Sequence, residues 1–202
     1  GAGLIRHCCC ELRFQSVFER YTFDKLQIYF QLRWHPLSRL GEPIKVIKKM
    51  KQTDNFKFDE ANVMNELVYR NLSEDEKRQI CAWKYGGEYD LYNLPSYEEM
   101  QVRQIGFMNP QREKNYYGFW DESILVGFVN ILEEKEEVFI GIGVNPDLCN
   151  KHYGQRMLLI TYEISKKLYP NKPLYLEVRT WNIRAVKCYQ KAGFRIDGQA
   201  YE

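Results

Sequence analysis

Two stretches hold residues whose types and spacing could do chemistry. The first is Val144-Asn-Pro-Asp-Leu-Cys-Asn-Lys-His-Tyr-Gly-Gln-Arg156. An apolar run ends there, a turn follows, and a helix begins at or near Gly154. The start of a helix exposes N–H groups with no partner inside the helix and carries about half a positive charge. Such an end binds phosphate. Gly154 lets the backbone approach a ligand closely, and Lys151, His152 and Arg156 add positive potential at the same end. Taken alone, the same residues also fit an ordinary strand–helix turn. The second stretch is Leu176-Glu-Val-Arg-Thr-Trp-Asn182, followed by Ala185, Tyr189, Gly193 and Phe194. Asn182 stands where a side chain can cap a helix. Ala185 and Tyr189 are four residues apart, on one helix face. Alone, they could equally be core residues.

The elements that must position these residues can be read from local signals. Ser73-Glu-Asp-Glu76 is a capping box and opens a helix to about Trp83. Gly86-Gly87 breaks the chain. A second box, Ser96 to Glu99, opens a helix to about Phe107. The period then changes. Tyr116–Trp120 and Ile124–Leu132 are aromatic and β-branched, split by Asp121-Glu-Ser123, which is a hairpin signal. After the acidic turn Glu133–Glu137 comes a third strand, Val138–Val144. A long helix from Gly154 carries Met157, Ile160, Ile164 and Leu168 on one stripe and stops before Pro170 and Pro173. Leu174–Val178 is a strand, Asn182–Ala192 a helix closed by Gly193, and Phe194–Ile196 the start of a strand. Leu67–Tyr69 is a short first strand. The expected fold is α/β (α+β), with a mixed, mostly antiparallel sheet flanked by helices.

Residues 1–65 read differently and form an N-terminal extension; residues 66–202 form the consistent unit. Leu26–Trp34 alternates apolar and polar residues as a strand does, and Lys45–Lys51 is a basic run that reads as a solvated face. Residues 1–65 carry 11 Lys and Arg against 7 Asp and Glu, while the whole chain has a net charge of +2. Neither makes a stripe for nucleic acid. The six cysteines have no metal-ligand spacing, so no metal and no disulfide framework are expected, and a reducing cytosol fits. No apolar run reaches the ~20 residues of a membrane helix. Glu11 and Arg13 interrupt the only candidate signal peptide, and a start at Gly1 leaves a cloning scar, a processed end or a fragment boundary open.

Together the two stretches resemble the GNAT superfamily of N-acetyltransferases, from about Leu67 to Tyr201. The family's later motif, Asn-x-x-Ala-x-x-x-Tyr-x-x-x-Gly-Phe, is complete in Asn182, Ala185, Tyr189, Gly193 and Phe194. Its phosphate motif, Arg/Gln-x-x-Gly-x-Gly/Ala, is kept only in its last position: Cys149 and His152 stand at the others, before Gly154. The Leu-Glu-Val-Arg lead-in is similar to enzymes that acetylate protein N-termini. The resemblance implies acetyl-CoA as co-substrate, in a V between Val138–Val144 and Leu174–Val178. It puts pyrophosphate on the backbone of residues 150–155, pantetheine along Ile142, Gly143 and Val144, and Asn182 beside the pantetheine arm. Tyr189 would protonate the departing thiolate. Glu137, Glu136 and Glu177 are candidate bases for the amine. Cys149 has no visible partner base and is not read as a nucleophile.

Trp83, Tyr85, Tyr89 and Tyr92 fall where this superfamily walls the acceptor site, and suit an aromatic, aminoglycoside or peptide amine, or simply a plug between helices. The superfamily's last strand, beside Leu174–Val178, is missing. A fragment, a partner subunit as in a homodimer, or a fold-back of Leu26–Trp34 would explain that. The leading expectation is acetyl transfer from acetyl-CoA to a primary amine of a small molecule or protein. The alternative is a catalytically weak acyl-CoA-binding or interaction module.

Overall fold

The computed structural model describes residues 44–50, as backbone, and residues 67–196. Six strands form one sheet: β1 (Ile44–Met50), β2 (Val68–Asn71), β3 (Tyr116–Asp121), β4 (Ile124–Glu133), β5 (Val138–Val144) and β6 (Leu174–Arg179). Their spatial order is β1-β6-β5-β4-β3-β2. Every neighbouring pair is antiparallel except β5 with β6. Among the described residues four α-helices accompany them: α1 (Glu74–Ala82), α2 (Tyr97–Arg103), α3 (Tyr153–Leu168) and α4 (Ile183–Lys191). The expected α/β class with a mostly antiparallel sheet is what the chain adopts.

Local chemistry explains the boundaries. At α1 the capping box closes both ways: Ser73 N–H donates to Glu76 Oε2 at 2.7 Å, and Glu76 N–H to Ser73 Oγ at 3.5 Å. At α2 Ser96 Oγ accepts from Glu99 N–H at 3.1 Å. That helix ends at Arg103, short of the expected Phe107, because Gln104 turns left-handed at φ 49° and residues 106–108 continue as a 3-10 turn. At the end of α4, Gly193 takes φ 89°, a conformation that only glycine adopts freely. After it, among the described residues, a single bridge residue, Ile196, marks the expected last strand.

The sheet has two differently packed faces. One carries Phe119, Val129, Ile131, Ile140, Leu174, Leu176 and Val178 against α3 and α4. Burial of this apolar area is the main favourable term in folding. The face of α3 differs from the expected stripe. Met157 and Ile164 are buried, but Leu168 is 48% exposed, while the small Thr161 and Ser165 are fully buried. Small residues let the helix lie close to the sheet, and Met157 fills the space over Gly127, where a Cβ would come within 2.6 Å of its sulfur. The other face carries Tyr116, Trp120 and Leu125 against Ile80, Trp83, Met100 and Phe107 of the α1–α2 region.

The sheet position beside β6 is not empty. Strand β1 fills it, antiparallel, from Ile44 opposite Arg179 to Met50 opposite Leu174. The basic run is therefore a strand rather than only a solvated face, and part of the first 65 residues is built into the sheet. Residues 26–34, expected to alternate as a strand, lie outside the described residues.

Candidate active site

Strands β5 and β6 pair at only two positions, Val138 with Leu174 and Phe139 with Tyr175. Beyond them the strands part, and a cleft of about 670 Å³ opens between residues 140–144 and residues 176–179. On that side the β5 backbone has no strand partner among the described residues; Val144 O is taken by the Tyr85 hydroxyl, and the other polar groups are open to a ligand. Across the other edge β5 stays fully paired to β4, which holds it rigid.

The turn after β5 delivers a helix start to the cleft mouth. Asn145 Oδ1 accepts from Asp147 N–H at 3.1 Å and shapes a 3-10 turn, Pro146–Leu148. Asn150 and His152 then take φ 66° and 64°. His152 occupies the N-cap position of α3 without a side-chain cap. The first bond onto α3 runs from Arg156 N–H to His152 O at 3.2 Å. The N–H groups of Tyr153, Gly154 and Gln155 thus have no acceptor within the helix, and all three residues line the cleft. From the opposite side Asp121 anchors this turn, accepting from the Tyr153 hydroxyl at 2.8 Å and lying 3.6 Å from Arg156 Nη1. Gly154 is needed for packing: a Cβ there would meet Cys188 Sγ at 3.0 Å and Val144 Cγ2 at 3.4 Å.

Helix α4 forms another wall. Asn182 is buried; its Oδ1 caps the helix by accepting from Ala185 N–H at 3.1 Å, and its Nδ2 donates to the Tyr92 hydroxyl at 3.0 Å. Two of the four hydrogen bonds its amide can make are therefore spent on structure. Tyr189 is half-buried and lines the cleft; burial first, then the neighbouring Cys188, Tyr92 and Tyr85, pushes its phenol far above the ordinary range. It stays protonated and so remains able to donate. Burial also raises the Cys149 thiol, and lifts that of Cys188 to about 11, so neither is a ready thiolate.

The cleft gathers most of the expected site residues. Ile142, Gly143, Val144, Asn150, His152, Tyr153, Gly154, Gln155, Asn182, Tyr189, Glu177, Trp83, Tyr85 and Tyr92 all line it. Lys151 and Arg156 stand outside the lining. So does Tyr89, which packs on Trp181 at 5.7 Å. Glu136 and Glu137 sit on the β4–β5 turn, at the closed end of the wedge and away from its lining, with Glu137 O accepting from Glu134 N–H. Tyr85 does more than form a wall. Its hydroxyl donates to Val144 O at 2.6 Å, tying the segment after α1 to the end of β5. Four residues went unread in the sequence: Asn130 in the cleft floor, and the basic residues Arg184, Lys187 and Lys191 along its rim. The basic residues recur along α4 near the complete motif, a signal that could have been used. Among the described residues no cluster of His, Cys, Asp or Glu could hold a metal, and no helix is long and apolar enough to cross a membrane.

A backbone-lined wedge between two parallel strands, closed by an uncapped helix start, is the geometry the sequence resemblance implies. The acetyltransferase (GNAT) family model matches residues 69–194. The chain belongs to this family and is an acetyltransferase. No curated protein matches the sequence. Among solved structures, a chimera of the Vibrio cholerae spermidine N-acetyltransferase SpeG with hSSAT is similar at 21% identity, covering 66% of this chain and 83% of that one, with a TM-score of 0.51. A domain from Methanocaldococcus jannaschii is similar at 18% identity, with 68% and 94% covered and a TM-score of 0.53. A GCN5-related N-acetyltransferase from Sphaerobacter thermophilus shares 12% identity over 77% of this chain and 48% of its own, with a TM-score of 0.53. At these identities the likeness is one of fold.

Proposed function

We propose that this GNAT-family chain transfers the acetyl group of acetyl-CoA to a primary amine by direct attack within a ternary complex. The observation that carries this reading is the parting of β5 and β6 beyond Phe139 and Tyr175, with the open start of α3 at its mouth. Acetyl-CoA supplies an activated thioester. Its phosphates suit the N–H groups of Tyr153, Gly154 and Gln155, and Arg184, Lys187 and Lys191 add positive charge nearby. Its pantetheine amides suit the open edge of residues 142–144, where Val144 O is already held by Tyr85, in the manner of an added strand.

An ammonium must lose a proton before its nitrogen can attack. Among the candidate bases Glu177 is the one in the cleft lining, so it takes the proton, directly or through water. The C–N bond forms as the C–S bond breaks, the sulfur leaves with the electron pair, and the nitrogen's second proton passes to solvent. Tyr189 donates a hydrogen bond to that sulfur. A thiol's ordinary pKa, about 8.5, lies below that of any phenol, so Tyr189 stabilises the thiolate rather than giving up its proton to it. Trp83, Tyr85 and Tyr92 wall the acceptor side.

Thiol release from acetyl-CoA, measured with a panel of amines and N-terminal peptides, tests this. Release should depend on the acceptor. Tyr189→Phe should lower kcat by roughly 10²-fold, the scale of one lost transition-state donor, with little change in KM. Glu177→Gln should lower kcat at neutral pH and recover as pH rises toward the pKa of the amine. An unchanged rate would remove either residue from its role. Acetyl-CoA binding without release to any acceptor would point to a binding module instead.

A further inference from the structure

Asn130 stands in the middle of β4, opposite Tyr116 on one side and Gly141 on the other. It is 3% exposed, and neither its Nδ2 nor its Oδ1 has a hydrogen-bond partner among the described residues. A buried amide with none of its bonds made is costly, and such groups call for an explanation. Asn130 belongs to the floor of the cleft, on the face toward α1 and α2. Around it that floor is mostly apolar or bare: Phe107, Phe128, Phe139, Gly141 and Gly143, with the Tyr116 ring beside it. Continued past its last pair, Phe139 with Tyr175, the register would bring Gly141 level with Glu177 on the same face, across the widening gap between the strands. Across the floor the order is therefore Asn130, Gly141, Glu177. Gly141 leaves a gap between the two polar groups. A Cβ there would meet only Asn130 Cβ at 3.7 Å and Phe139 Cε1 at 3.8 Å, which are ordinary contacts.

We infer that Asn130 determines acceptor specificity: its amide receives a neutral donor–acceptor group, of the peptide-amide kind, carried beside the amine that is acetylated. The inference rests on reading the cleft as an acetyl-transfer site. A primary amide both donates and accepts, so it pairs best with another amide. The amine then falls over Gly141, toward the Glu177 carboxylate. A polyamine fits less well. Glu177 is the sole acid in the described lining, and a second ammonium would lose its water among apolar side chains with no further counter-charge.

The test uses phenylalaninamide, phenethylamine, which has the same skeleton without the carboxamide, and spermidine. Wild type, Asn130→Leu and Gly141→Ala are compared. The wild type should acetylate phenylalaninamide with a kcat/KM at least about tenfold above phenethylamine, since a site built to hydrogen-bond rejects the analogue that cannot. Asn130→Leu should abolish that preference and leave phenethylamine within about threefold. It should also raise Tm by roughly 2–4 °C, because an unpaired buried amide is gone. Gly141→Ala should fold normally and weaken phenylalaninamide by filling the gap. A preference for spermidine would overturn the inference. So would an equal loss on all acceptors with a lowered Tm, which would make Asn130 structural. If no amine is acetylated, the acetyl-transfer reading fails on its own. Calorimetry then decides the role of Asn130: N-acetylphenylalaninamide should bind the wild type in the presence of CoA and lose at least tenfold in Asn130→Leu, and equal binding to both would overturn it.

Discussion

His152 holds the left-handed conformation, φ 64°, at the position where the family motif carries its first glycine. The backbone therefore keeps the shape of the motif while the side chain departs from it. Histidine is among the residues that tolerate this region, whereas a β-branched residue there is a true outlier. That separates two contributions. His152→Gly should leave acetyl-CoA affinity within about threefold, because the N–H groups of Tyr153 to Gln155 stay in place. His152→Val should weaken it by tenfold or more, since the turn must distort, at a cost of order 1–3 kcal/mol. Equilibrium titration with acetyl-CoA measures both; a large loss on His152→Gly would give the imidazole the main role instead. Gly154→Val would be a poorer probe, as its side chain would strike Cys188 and Val144 before any ligand. Motif spacing alone revealed Gly154, Asn182 and Tyr189. It could not reveal Asn130, because a lone Asn inside an apolar run states polarity and says nothing of burial or partners.

Elements whose signals are local were legible to within a residue or two. The capping box at Ser73, the whole of β5 and the helix start at Asn182 each rest on neighbours in sequence. Strand β1 was not, because its place depends on pairing with β6 some 130 residues later, and its lysines masked the β-branched Ile44, Val46 and Ile47. Lysines on a sheet edge are a common defence against further pairing. The parting of β5 and β6 was foreseen only through the family resemblance; no local residue pattern encodes where pairing stops. At the start of α4, Asn182 does two jobs, and they can be separated. Asn182→Ala should cost about 1 kcal/mol through the lost cap, and also release Tyr92. Asn182→Asp should restore the cap but not the donor to Tyr92. Urea midpoints should thus recover with Asp, while acceptor KM stays raised. Equal stability of Ala and wild type would mean that the cap contributes nothing.

At the scale of the whole fold, several aromatic hydroxyls of the described residues are built into the interior or the cleft wall. Burial pushes the phenols of Tyr85, Tyr116, Tyr175 and Tyr189 well above their ordinary pKa, with Glu134 adding to the effect at Tyr175. The consequence for stability has a definite sign. Below about pH 10 these phenols are neutral in both the folded and the unfolded chain, so their contribution is intact. Above pH 10 the unfolded chain releases protons that the folded chain retains, and stability falls as pH rises. Each such group contributes a slope of up to about 1.4 kcal/mol per pH unit, so four give roughly 5 kcal/mol per unit. Against a typical stability of about 5–15 kcal/mol, that is enough to unfold the chain within one to three units. The thiols of Cys81 and Cys188, both pushed up to about 11, add a shallower loss that starts near pH 9. Urea unfolding from pH 8 to 12 should show a nearly flat midpoint to about pH 9, then a steep fall beyond pH 10. Phenolate absorbance tests the same point spectroscopically. The buried group should ionise only together with loss of circular dichroism. Full ionisation of every tyrosine in a still-folded chain would mean that the cleft and the α1–α2 face are far wetter than their packing requires.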